Sequence, residues 1–186
     1  IIDGASKSFQ ENVIMARECV SYAKLKGGKV LVEAELGFIG QSSKVLESIP
    51  EGVSEETQTK PEDAKRFIEE TLIDLFAPSV GNIHGMVRGG KPNLNIERIK
   101  AIKSVSSVPL VLHGASGNSD QDILSAINAG IRIVHINTEI RVAYRSGVEA
   151  GLKSKEIAPY KFLAEGVAEM KKVITGRLKL FNRIQN

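Results

Sequence analysis

The chain has 186 residues, 42% of them hydrophobic, and its 25 basic and 22 acidic residues leave a net charge of only +3, spread along the sequence. That is enough apolar material for one globular unit over residues 1–186, and so small and scattered an excess of charge gives no footprint for nucleic acid. A single cysteine, Cys19, excludes an internal disulfide and suits a reducing, cytoplasmic setting, while these residues show no signal-peptide pattern and no apolar run of about 18 residues.

The first residues, "IIDGAS", read as a strand entering a loop, and the start on Ile1 rather than Met gives the expectation of a fragment whose beginning is missing. "ENVIMARECVSYAKLKGG" follows, with Val13, Ile14, Ala16, Val20 and Ala23 on one helical face and Gly27 and Gly28 as its stop. "KVLVEAELG" is the next strand. After a long loop, Thr59 stands three residues before Glu62 with Pro61 between them, a capping-box pattern opening the helix "TKPEDAKRFIEETL". "IDLFAPSVG" reads as a strand, "NIERIKAIKSV" as a helix, "VPLVLHG" as a strand, "SDQDILSAINAG" as a capped helix ending at Gly130, and "IRIVHIN" as a strand. Two helices, "EIRVAYRSGVEAGL" and "PYKFLAEGVAEMKKVITGRLKLF", complete the pattern, the second with Phe162, Val167, Met170 and Val173 as a barrel-packing or dimer-forming face.

About five strands of near-continuous Val, Ile and Leu alternating with amphipathic helices indicate an α/β fold with a parallel sheet, either doubly wound or closed into a barrel. In both, function collects at the C-terminal ends of the strands. Asp3, Glu35, His84, His113 and Asn137 all stand there. Contact with water accounts for Asp3 and Asn137, but less well for histidines, and all three in the chain lie in or just after strands. His84 and His113 are each followed by glycine, so an imidazole lone pair sits beside backbone that a ligand can approach, with Glu35 as a further donor. "HGASGNSD" offers backbone N–H groups and the Ser116 hydroxyl just before a helix, and Asn137 and Thr138 precede another; phosphate binding and simple helix capping both fit. Alternation places His135 on the same face as Asn137 but one layer deeper, which suits a buried structural histidine.

Taken together, "IIDGASKSFQENV", "VEAELGFIG", "TKPEDAKRFIEET", "GNIHG", "PLVLHGASG" and "HINTEIR" closely resemble, in order and over nearly the whole chain, the zinc-dependent class II ketose-bisphosphate aldolases. The resemblance implies part of a TIM (β/α)8 barrel, approximately strands four to eight with their helices. It implies reversible cleavage of fructose 1,6-bisphosphate to dihydroxyacetone phosphate and glyceraldehyde 3-phosphate, with Zn²⁺ as Lewis acid on the ketose carbonyl. Zinc would be held by His84 and His113, with Glu35 as an alternate ligand. Gly85, Gly114, Ala115, Ser116, His135, Asn137 and Thr138 match positions that bind the dihydroxyacetone phosphate half, and Arg88 stands where the family often has a lysine.

Departures qualify that picture. The family's Asp-His pair, which carries the proton-handling aspartate and a third zinc-ligating histidine, has no counterpart in this sequence, so the chain by itself is expected to be inactive. The loop after "EAELG" reads Gln41, Ser42, Ser43 where acidic residues are usual, and the next carboxylate is Glu47. His135 replaces the usual asparagine. Tagatose 1,6-bisphosphate, differing only at C4, is an equal substrate candidate, and a non-catalytic phosphosugar-binding or subunit-stabilising barrel is the reading from another class. The intact protein is expected to be a homodimer or homotetramer.

Overall fold

The computed structural model describes residues 1–27, 29–40, 44–88 and 93–183. Gly28 and the loop residues Gln41, Ser42 and Ser43, singled out above, lie outside these described residues. Four strands, β1 (Glu33–Leu36), β3 (Leu75–Pro78), β5 (Leu110–Leu112) and β6 (Ile131–Val134), form a sheet in the order β1-β3-β5-β6, and every neighbouring pair is parallel. Ile2 adds a fifth, minimal strand beside β1, bridging to Ala34 in parallel, with Ile2 N–H donating to the Glu33 carbonyl and Glu35 N–H to the Ile2 carbonyl.

Strands therefore follow one another across the sheet in chain order. A doubly wound sheet reverses its strand order at a switch point, whereas sequential order is the winding of a barrel. The helices agree: α1 (Phe9–Leu25) packs on α2 (Pro61–Thr71), α2 on α3 (Ile96–Val105), and α3 on α4 (Asp120–Ala129). The fold is α/β, a partial barrel. Its core lies between the strands and this row of helices, where Phe67, Phe76, Ile99, Ile102, Leu110, Leu112, Ile123 and Ile131 are fully buried.

Helix ends follow local chemistry, though not always the expected residues. Ser8 and Glu11 form a complete capping box at α1, Asn95 caps α3 by accepting from Arg98 N–H, and Ser119 caps α4 by accepting from Asp122 N–H. At α2 the expected box is absent. Lys60 is the N-cap, without a side-chain hydrogen bond, because the Thr59 hydroxyl is used elsewhere: it donates to the Leu36 carbonyl at 2.5 Å and accepts from Ser79 N–H at 2.9 Å, tying the ends of β1 and β3 together. Along α1, Val13, Ala16 and Val20 are buried as expected, but Ile14 is exposed and Asn12 takes the buried place, donating to the Glu35 carbonyl at 2.8 Å.

The strands are shorter than their apolar runs, since a run covered on both faces carries no mark of where pairing stops. Two short strands, β2 (Val45–Leu46) and β4 (Met86–Val87), pair in parallel and join the loop after β1 to the loop after β3. At the C-terminal end, α5 (Thr138–Gly151) packs on α7 (Ala164–Phe181), with the short α6 (Pro159–Phe162) between them. Glycines let them close in, since a Cβ on Gly147 would stand 2.4 Å from the Glu165 carbonyl and one on Gly151 2.0 Å from the Phe162 carbonyl, while Phe162, Met170 and Val173 of the expected face are half-buried. In α7 the buried residue is Gly166, and Val167 is exposed.

Candidate functional site

Parallel strands deliver their C-terminal residues to one rim, and there all three histidines form a column. The His113 ring stacks on His135 at a centroid distance of 4.6 Å and faces His84 at 6.0 Å. They border a cleft of about 230 Å³ that is also lined by Glu35, Gly85, Gly114, Ser116, Asn137 and Thr138. Nine of the ten residues expected to hold metal or substrate thus meet in one place. The tenth, Ala115, is fully buried in the core, and its N–H donates to the His135 carbonyl. Asp3 is not gathered in; it is exposed and accepts from the N–H of Ala5 two residues on. Arg88 is also exposed and pairs with Glu47 at 3.4 Å beside the β2–β4 ladder.

His113 is held between two buried carboxylates. Its Nε2 lies 2.7 Å from Glu33 Oε1 and its Nδ1 3.0 Å from Glu35 Oε1. Burial works against the imidazolium, but the hydrogen bonds and negative charge of both glutamates outweigh it and push the His113 pKa up to about 9. Burial alone would raise Glu33, yet the hydrogen bond and charge of His113 prevail and hold its carboxyl below the ordinary range. His135 moves the other way, since burial and the adjacent His113 charge both lower its pKa.

Glu33 was not expected. It lies two residues before Glu35, and period-two alternation puts both on the same face of β1, which is the signal that could have found it. His135 is also placed differently. Its side chain is 37% exposed and lines the cleft, although its backbone still pairs with the end of β5, donating to the Leu112 carbonyl and accepting from Ala115 N–H.

The ring nitrogens can be assigned from their partners. A carbonyl can only accept, so His84 Nδ1, 3.1 Å from the Gly40 carbonyl, carries the proton and leaves Nε2 as the lone-pair nitrogen. A carboxylate likewise only accepts, so His113 donates from Nε2 to Glu33 and from Nδ1 to Glu35, and a cation would have to displace the Nδ1 proton. One ligand atom each from Glu35, His84 and His113 lies within 4.8 Å of the others, and Glu33, His113 and His135 form a second such group.

The turn after β5 owes its small residues to packing. Gly114 has φ +58°, and a Cβ there would come 2.0 Å from the Ile83 carbonyl and 3.1 Å from His84 N. Glycine is therefore what lets the two histidine-bearing loops touch. Gly114→Ala is expected to lose at least about 2 kcal/mol of stability, from left-handed strain plus displacement of the Ile83–His84 backbone; urea unfolding measures it, and a change within about 0.5 kcal/mol would contradict it. Ser116 has a structural task as well. Its hydroxyl accepts from Asn137 N–H at 3.3 Å and Glu139 N–H at 3.4 Å, capping α5 from another loop, since Asn137 makes no side-chain cap of its own. Asn82, fully buried, donates to the His113 carbonyl and accepts from Val80 N–H, holding the β3 and β5 ends in register.

The family described as fructose-bisphosphate aldolase class-II matches this chain over residues 1–186. The chain belongs to the class II fructose-bisphosphate aldolase family. Among its relatives is a fructose-bisphosphate aldolase of Ureaplasma parvum, 34% identical over 98% of this chain and 62% of the relative. A 6-phospho-5-dehydro-2-deoxy-D-gluconate aldolase of Shouchella clausii is 33% identical over 97% of this chain and 59% of its own length. The crystal structure of the YdjI aldolase of Escherichia coli K12 superposes with a TM-score of 0.78 at 33% identity, covering 96% of this chain and 59% of that one. The chain thus spans about three fifths of the length of the family members it matches.

Proposed function

We propose that this chain forms the cation-binding and phosphate-binding part of a zinc-dependent aldolase that reversibly cleaves fructose 1,6-bisphosphate to dihydroxyacetone phosphate and glyceraldehyde 3-phosphate. The observation that carries the reading is the convergence of Glu35, His84 and His113 beside the turn at Gly114–Ser116. Two imidazoles, each with one ring nitrogen already held by a protein group, and one carboxylate suit Zn²⁺ with a coordination position left for substrate. Bound there, the cation would supply a Lewis acid for the ketose carbonyl.

The remaining work falls to the chain. Glu33 and the Gly40 carbonyl fix the two imidazoles by accepting hydrogen bonds from their outer nitrogens. Thr138 opens the 14-residue α5 at the cleft wall, so the positive end of that helix faces a phosphate seated against Gly85, Gly114 and Ser116. Asn137 and His135 offer hydrogen bonds to sugar hydroxyls from the same wall.

Zinc removal and readdition test the reading. In the intact protein, which would supply the Asp-His pair that this chain lacks, chelation is expected to stop the release of dihydroxyacetone phosphate from fructose 1,6-bisphosphate, and added zinc to restore the reaction. Restored cleavage of tagatose 1,6-bisphosphate or 6-phospho-5-dehydro-2-deoxy-D-gluconate instead would reassign the substrate. Binding of dihydroxyacetone phosphate with no cleavage of any of these would favour the non-catalytic phosphosugar-binding barrel. The protein is expected to act as a homodimer or homotetramer in the cytoplasm; among the described residues, no helix is long and apolar enough to cross a membrane.

A further inference from the structure

Arg177, on α7, lines none of the histidine cleft, yet it joins the two backbone segments that border it. Its Nε lies 2.6 Å and its Nη2 2.8 Å from the two carboxylate oxygens of Glu139, a two-pronged pair, and its Nη1 lies 2.9 Å from Asp120 Oδ1. Nη2 also donates to the Asn118 carbonyl at 3.4 Å. The Arg177 and Glu139 side chains are 17% and 11% exposed, so most solvent screening is absent. Glu139 Oε2 in turn accepts from Gly117 N–H at 3.3 Å. One guanidinium therefore reaches the 114–118 turn through Asn118 and through Glu139, and the first turn of α5 through Glu139 itself.

The placement poses an electrostatic problem that Arg177 solves. Glu139 stands in the first turn of α5, where a carboxylate competes with any other anion for the positive end of the helix. Without a counter-charge it would repel the phosphate assigned above to that helix end. We propose that Arg177 is a positioning residue for the phosphomonoester of the ketose: it neutralises Glu139 and holds that carboxylate on Gly117 N–H, keeping the turn and the α5 N-terminus open to the phosphate. The inference rests on the phosphate placement of the preceding subsection.

The test titrates dihydroxyacetone phosphate into the zinc-loaded protein and follows binding by calorimetry and the amide resonances of residues 114–117. If the parent protein shows no response at those amides, the phosphate placement fails, whatever Arg177 does. If the parent responds, Arg177→Met is expected to bind about tenfold more weakly, the weight of one charge-assisted contact, with zinc stoichiometry unchanged. Arg177→Lys keeps the charge but not the fork and is expected to recover part of that loss. The double variant R177M/E139Q removes the charge that needs neutralising and is expected to return within about threefold of the parent. Dihydroxyacetone phosphate affinity in R177M equal to the parent's would overturn the proposal. Should R177M fail to fold, the double variant decides alone: parent-like affinity supports the proposal, and a tenfold deficit sinks it.

Discussion

His113→Ala is expected to abolish zinc uptake altogether, whereas His84→Ala should only weaken it. His113 belongs to both groups of candidate ligands, with Glu35 and His84 on one side and with Glu33 and His135 on the other. Losing His84 leaves the second group intact; losing His113 leaves neither with three members. Two carboxylates also depend on this imidazole, since Glu33 and Glu35, with side chains 6% and 5% exposed, pair with its two nitrogens. Removing the shared partner of buried charges costs about 3–5 kcal/mol, so a stability loss should accompany the loss of metal. Glu33, on which burial acts upward and His113 is the strongest of the groups holding it below its ordinary pKa, should rise in the variant and be protonated as pH falls. The stability deficit is therefore expected to shrink in mild acid and grow toward neutral pH. Zinc analysis after exhaustive dialysis and urea unfolding across pH test this pair of effects; one zinc retained by His113→Ala at parent affinity would sink the assignment.

These couplings mark where the sequence stops being informative. Strand type and the residues at strand ends follow from apolar runs and period two, so Glu35, His84 and His113 could be picked out singly. Periodicity alone left open the choice between a doubly wound sheet and a barrel, because it says nothing about which strand lies beside which; the family resemblance implied the barrel, and the sequential order β1-β3-β5-β6 bears it out. Partnerships across long separations were equally hidden. Ser116 caps a helix that starts 22 residues later, Thr59 spends its hydroxyl on Leu36 and Ser79 instead of its own helix, and Gly114 is small because the Ile83 carbonyl presses on it. Each role depends on a contact made only in the folded chain. Glu33 is a different case, since alternation from Glu35 pointed to it and only its partner, 80 residues away, was unreadable.

Glu33→Gln is expected to lower zinc affinity by about 10- to 100-fold, the usual cost of removing a carboxylate that supports a ligating imidazole. The glutamine carbonyl can still accept the His113 Nε2 proton, so the ring should stay in place and the loss should report charge. Its pH dependence separates this from general damage. In the parent, a His113 pKa near 9 means that a proton competes with zinc for Nδ1 at neutral pH, so zinc affinity should rise with pH and level off near about 9. Part of that elevation comes from Glu33, and the glutamine variant should lose it, levelling off at lower pH. Two consequences then oppose each other: the variant imidazole is a poorer donor, but fewer protons compete for it. The affinity deficit should therefore be largest near pH 9 and narrow toward pH 7. Competition titrations against a chromophoric chelator across that range measure it, and a deficit that stays constant with pH would mean that Glu33 does not act through His113.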